Sequence, residues 1–156
     1  MKRVKENQGQ RRWEETTSLG SSIVFAILVV AFYFTGNSLE ALFLVLGWGL
    51  INLVTLVVRF FYFKDRPEKR AFSNLLEKLD ASSFPSIHAQ RALFLAPALS
   101  IHFANAYLSG LFFALAYLVC YSRIRLLKHH GSDVVVGAIV GVLEFYALDY
   151  AFALMF

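Results

Sequence analysis

Arg59 is followed, after six residues, by Arg66-Pro67. Further on stands Pro85-Ser86-Ile87-His88, and further still Ser122-Arg123, five residues, His129, three residues, Asp133. The chemistry these types allow is that of an oxyanion. Arg59, Arg66 and Arg123 carry planar, permanently charged forks that match phosphate oxygens two at a time. Pro85 suits the first position of a helix, so the amides of Ser86 and its neighbours should point out from a helix N-terminus, a natural anion site. If a helix begins near His129, the four-residue step sets Asp133 on the same face. A carboxylate on one ring nitrogen fixes the tautomer and frees the other nitrogen to attack phosphorus. His88, from a different helix, would protonate the leaving oxygen. The arginines would stabilise charge on the equatorial oxygens.

These groups need elements that bring them together, and the composition points to a membrane bundle. Apolar residues make up 58% of the 156, and charged residues only 17%. Ordinary soluble domains hold roughly 45–50% apolar and about 25% charged residues. A soluble fold this small has too little interior for that surface, so the bilayer is the expected solvent. Five apolar segments follow: 19–35, 39–63, 85–104, 107–121 and 132–156. The break between the third and fourth rests on Asn105 and on Ser109-Gly110, since one helix from Pro85 to Cys120 would overshoot a core of about 30 Å. Between the second and third, Phe72, Leu75, Leu76 and Leu79 recur at helical spacing, which predicts a short amphipathic helix on the membrane surface. The fold class expected is all-α: an integral-membrane bundle of about five transmembrane helices. Residues 1–18 form a polar interfacial segment with Trp13 as an anchor, and 19–156 form the membrane domain.

Five spans put the N-terminus and the loops at 64–84 and 122–132 on one face. The three motifs all fall there. An arginine at membrane depth costs roughly 2.5–3.5 kcal/mol on insertion scales, so Arg59 should face the bundle and an anion. The Lys and Arg residues gather on the same face, which predicts that it is cytoplasmic in a multi-pass cell-membrane protein. The net charge of +4 is accounted for by cations at the ends of apolar segments, so no nucleic-acid partner is expected. The N-terminus does not read as a signal peptide, because its apolar stretch follows Glu14 and Glu15. Cys120 reads as a small buried residue.

The motifs together resemble the type 2 phosphatidic acid phosphatase superfamily, which also includes bacterial acid phosphatases and vanadium haloperoxidases. The family pattern is Lys-x6-Arg-Pro, Pro-Ser-x-His and Ser-Arg-x5-His-x3-Asp. This chain matches each fixed position except the first, where Arg59 stands for lysine. The resemblance implies an acid phosphatase/vanadium haloperoxidase-like helical bundle. It implies His129 as nucleophile, Asp133 as its partner and His88 as general acid, with Arg59, Arg66, Ser86 and Arg123 binding phosphate. No metal-ligand cluster is visible among the residues, so no metal and no other cofactor are expected. The partners expected are the lipid bilayer and a lipid phosphate or prenyl (di)phosphate substrate. Membrane members of the family commonly have six spans and often place the site outside the cytoplasm. The five spans counted here and the charge-based orientation depart from that.

Two other readings stay open. The phosphohistidine would pass its phosphoryl group to an alcohol in a lipid phosphotransferase, or the chain would be a non-catalytic lipid-phosphate binder. Intact His129, Asp133 and His88 argue against the second, since binding needs only the cations. Outside the motifs, Gly137 and Gly141 read as a close-packing pair on the face of Asp133. His102 reads as a packing histidine, and His130 as a neighbour of the nucleophile. Arg91 is divided between the phosphate field and lipid headgroups. Glu144, expensive at membrane depth, has no assigned role.

Overall fold

The computed structural model describes residues 13, 15–68 and 73–155. After a helical turn at residues 15–18 come α1 (Ser22–Phe34), α2 (Ser38–Phe61), α3 (Leu75–Ala81), α4 (Ile87–Phe103), α5 (Ala106–Arg125) and α6 (Gly131–Met155). No strand occurs among the described residues. The breaks have local causes. Gly36 takes φ +84° in the turn between α1 and α2, a conformation that suits a residue without Cβ. Asn105 ends the α4–α5 turn, its side chain accepting the amides of Tyr107 and Leu108 at 3.0 and 3.1 Å, as an N-cap does.

All five apolar segments are therefore helices, but they differ in length. Three of them, α2, α5 and α6, are long and apolar enough to cross a membrane. The other two, α1 and α4, have 13 and 17 residues. At 1.5 Å per residue these reach about 20 and 26 Å, short of a hydrocarbon core of about 30 Å. The chain is a membrane protein by its apolar helices, and their outward faces carry large exposed side chains such as Ile23, Phe61 and Leu154.

The core lies where α1, α2, α4 and α6 meet, around Phe25, Phe32, Leu44, Ile51, Phe94 and Phe145. α4 is the central helix, packed on both α5 and α6. Its contact with α6 is made by the two glycines. A Cβ on Gly137 would lie 2.6 Å from the Ser86 carbonyl oxygen, and one on Gly141 would lie 2.3 Å from that of Gln90. The close-packing pair thus seats α6 against the start of α4.

The surface helix differs from expectation. It is α3, only 7 residues long, and Phe72 lies outside the described residues. Leu75 and Leu76 are exposed, while Ala81 is buried. Its start is capped by Asn74, which accepts the Glu77 amide at 2.8 Å, while Glu77 reaches one residue further back to accept from the amide and hydroxyl of Ser73. Those bonds hold the Glu77 carboxyl below its ordinary pKa. The C-terminal carbonyls of α3 then serve the site.

Candidate active site

Three chain segments meet at one end of the bundle: the exit of α2, the entry of α4, and the α5–α6 loop. Direct hydrogen bonds join them. Arg59, in the last turn of α2, donates through Nη2 to the Pro85 carbonyl and through Nη1 to the Leu79 carbonyl, both at 3.2 Å. Arg66 donates through Nη2 to the Asp80 carbonyl. The negative end of α3 therefore holds two guanidinium groups, a favourable match for a helix C-terminus. The Ser86 amide donates to the Asp133 carbonyl at 3.0 Å, linking α4 to α6.

His129 lies in the loop, 2% exposed. Its Nδ1 is 2.6 Å from the carbonyl oxygen of Ser83. A carbonyl only accepts, so Nδ1 carries the proton and Nε2 presents its lone pair. Arg123 Nη2 lies 3.4 Å from that Nε2, and Arg123 Nη1 donates to the Thr17 hydroxyl at 2.8 Å. Burial and the charge of Arg123 push the His129 pKa down to about 3, against the opposing pull of the Ser83 bond, with Arg66 and Arg59 adding to the fall. The ring is thus neutral near pH 7, with a bare nitrogen beside a cation.

Two buried polar atoms at the start of α4 lack a hydrogen-bond partner among the described residues: Ser86 Oγ and His88 Nδ1. Arg59 Nε is a third. Buried polar groups left unpaired are costly, and here they come from the exit of α2 and the entry of α4. Ser86 is the N-cap of α4 and is fully buried. An oxyanion would satisfy these groups and the cations together.

Two sequence expectations need correction. Pro85 is not the first helical residue, because α4 begins at Ile87 after the Ser86 cap. Asp133 does not bond to the His129 ring. The helix α6 begins at Gly131, so His129 precedes it and the i, i+4 geometry does not apply. Asp133 Oδ2 instead accepts the His130 amide at 2.9 Å and lies 3.2 Å from His130 Nδ1. Asp133 Oδ1 accepts from Lys64 Nζ and from the Ser132 hydroxyl. This is the backward reach of a carboxylate at the third helical position to the cap amide.

Sequence reasoning missed Ser83, Lys64 and Thr17. Ser83 acts through its backbone, which no side-chain pattern reveals. Lys64 lies inside the six-residue spacer of the first motif, and Thr17 lies in the polar N-terminal stretch. Other residues have partners apart from the site. Arg91 donates to Asn52 Oδ1 at 3.0 Å. His102 lies 3.5 Å from Glu40 Oε1 and packs edge-on against Phe32. Glu144 is 6% exposed, and neither oxygen has a hydrogen-bond partner among the described residues.

The model of the PAP2 superfamily matches residues 40–153, which hold every one of the three motifs. The chain belongs to the PAP2 superfamily. No curated protein matches it. Two solved structures resemble this PAP2 chain over most of its length. LpxE of Aquifex aeolicus is 26% identical, with a TM-score of 0.74, over 89% of this chain and 84% of its own. A transmembrane PAP2-type phosphatidylglycerolphosphate phosphatase of Bacillus subtilis is 23% identical, with a TM-score of 0.72, over 90% of this chain and 74% of its own. The second likeness shows the fold. The turn that carries Thr17 lies outside the PAP2 match, although Thr17 bonds to Arg123 within it.

Proposed function

We propose that this PAP2 chain is a metal-independent membrane phosphatase that removes phosphate from a lipid-like substrate through a phosphohistidine on His129. The observation that carries the reading is the orientation of one ring. Nδ1–H of His129 is held by the Ser83 carbonyl, and the lone pair of Nε2 faces Arg123. In the first step that lone pair bonds to phosphorus while the bond to the leaving oxygen breaks; burial and the charge of Arg123 keep His88 neutral near pH 7, so the proton it passes to that oxygen arrives with the substrate phosphate. In the second step water displaces the phosphoryl group from Nε2, and His88 takes the water's proton. Arg59, Arg66, Arg123 and Ser86 hold the oxygens through both steps. Asp133 serves by holding the loop on which His129 stands.

A lipid tail is supported by the setting. The site lies at one end of a bundle whose outer faces are apolar and exposed. A phosphomonoester or diphosphate there would sit at headgroup level, with its tail along the helices. The described cations Arg59, Lys64, Arg66, Lys78, Arg123, Arg125 and Lys128 stand at this end, which supports a cytoplasmic orientation. A cysteine introduced at Ser73 is then labelled only from the cytoplasmic side.

The deciding experiment is a phosphate-release screen across lipid phosphates in detergent, with His129→Ala as control and EDTA in a parallel arm. Release is expected from at least one lipid phosphate, unaffected by EDTA and absent in the variant. Full turnover by His129→Ala would overturn the nucleophile, and loss with EDTA restored by magnesium would overturn the metal-free mechanism.

A further inference from the structure

Lys64 supports His129 from two directions without contacting it. Its backbone supports one neighbour of the ring. The Ser83 amide donates to the Lys64 carbonyl at 2.8 Å, and the Lys64 amide donates to the Ser82 hydroxyl at 3.3 Å. The Ser83 hydroxyl adds a bond to the Asp65 carbonyl at 3.1 Å. These fix the strand-like segment whose Ser83 carbonyl receives His129 Nδ1–H.

The side chain supports the other neighbour. Lys64 Nζ donates to Asp133 Oδ1, and to the Ser132 hydroxyl at 3.0 Å. Asp133 is wholly buried, whereas the Lys64 side chain is 27% exposed. The far oxygen of Asp133 holds the amide of His130, the residue after His129. A buried carboxylate needs a partner, and losing one cationic partner leaves a charge that rearranges or takes a proton. Either response would weaken the bond that holds the His130 amide.

We propose that Lys64 is a positioning residue for the reaction, clamping His129 between the Ser83 carbonyl and the Asp133-capped loop. This rests on the reading of His129 as the nucleophile. The rival account treats Lys64 as a rim cation that meets the substrate phosphate directly. The two differ in kinetics. A positioning residue acts through Asp133, so its loss lowers kcat and spares KM. A rim cation acts independently of Asp133 and raises KM.

The test uses the full chain in detergent and the variants Lys64→Met, Lys64→Arg, Asp133→Asn and Lys64→Met/Asp133→Asn. Two measurements are made: steady-state release from dioctanoyl phosphatidate, and hydrogen–deuterium exchange of residues 126–133. Lys64→Met is expected to lower kcat about 10- to 100-fold with KM within about threefold, a loss confined to the reacting state. The double variant should be no worse than Asp133→Asn within about twofold, because residues acting as one unit are not additive. Lys64→Arg should recover most of kcat. Exchange at the His130 amide should rise in Lys64→Met and stay near the parent level in Lys64→Arg.

Multiplicative losses in the double variant, or a raised KM at unchanged kcat, would overturn the proposal. Unchanged exchange in Lys64→Met would overturn it as well. The exchange measurement needs no substrate, so it judges the clamp even if the chain turns over no lipid phosphate. Turnover retained by His129→Ala would instead sink the nucleophile and leave the exchange result standing.

Discussion

Ser83 and His129, 46 residues apart, are joined by one hydrogen bond of 2.6 Å from the ring Nδ1–H to the backbone carbonyl. That bond decides which nitrogen is bare. It also places the tautomer under the control of a backbone group, so no side-chain substitution at position 83 removes it directly.

The first prediction concerns this ring. Burial and Arg123 disfavour the imidazolium, which lowers the His129 pKa to about 3. The unfolded ring takes a proton near 6.5. Between those values the unfolded chain binds more protons, so His129 favours folding above pH 6.5 and that contribution fades as pH falls towards 3. Nitrogen-15 spectra of histidine-labelled protein should show His129 neutral, with the proton on Nδ1, at pH 5. In Arg123→Met the largest of the charge contributions that lower the pKa is gone, and the titration of His129 should move to higher pH. Arg123→Lys keeps the charge and should leave the titration nearer its parent position.

The glycines give a stability prediction with an internal control. A Cβ at Gly137 or Gly141 would meet backbone atoms of Ser86 or Gln90, which cannot rotate away. Each alanine substitution should cost about 1–3 kcal/mol by overpacking. Gly137→Ala should also lower phosphate release, because the atom it displaces belongs to the Ser86 cap. Gly49 and Gly110 have open space around the same position. Alanine there should be neutral or should stabilise by about 0.5–1 kcal/mol through backbone entropy. Thermal unfolding in detergent ranks the four.

Much of this arrangement was legible in the residues. The five apolar segments became five helices, and the motif segments meet at one end of the bundle, with Arg123 3.4 Å from His129. Hydropathy alone put their loops on one face, and the bonds from Arg59 to Pro85 and from Ser86 to Asp133 join them there. The errors have separate causes. Spacing implies contact only within a continuous helix, and α6 starts two residues after His129. The carbonyls of Ser83, Leu79 and Asp80 were invisible because every residue carries one. Helix length was overestimated for α1, because Leu19 and Gly20 form a turn before the helix starts at Ser22.

Glu144 yields a prediction of opposite sign to Asp133. Asp133 is buried with partners on both oxygens, and Asp133→Asn should destabilise the chain. Glu144 is buried with no hydrogen-bond partner on either oxygen among the described residues. An ionisable group at membrane depth is expensive, and glutamine keeps its shape without the charge. Glu144→Gln should therefore leave the melting temperature unchanged or raise it. A fall of several degrees in the same detergent would show that the carboxylate has a partner the buried setting requires.

Arg59 stands where the family pattern has lysine, and its two bonds explain what the exchange changes. Nη1 and Nη2 reach different carbonyls, Leu79 and Pro85, from one planar group. A lysine has a single ammonium and cannot span both in a fixed fork. Arg59→Lys keeps the positive charge, so phosphate should still bind, but α3 and the turn before α4 lose a shared anchor. We expect kcat/KM to fall about tenfold, equivalent to about 1.4 kcal/mol of transition-state stabilisation. Arg59→Met removes charge and fork together and should cost at least about a hundredfold. If lysine at position 59 matched arginine in both kcat/KM and thermal stability, the fork would have no role beyond its charge. If methionine matched lysine, the charge would have none, and Arg59 would be an anchor for α3 rather than a ligand of phosphate.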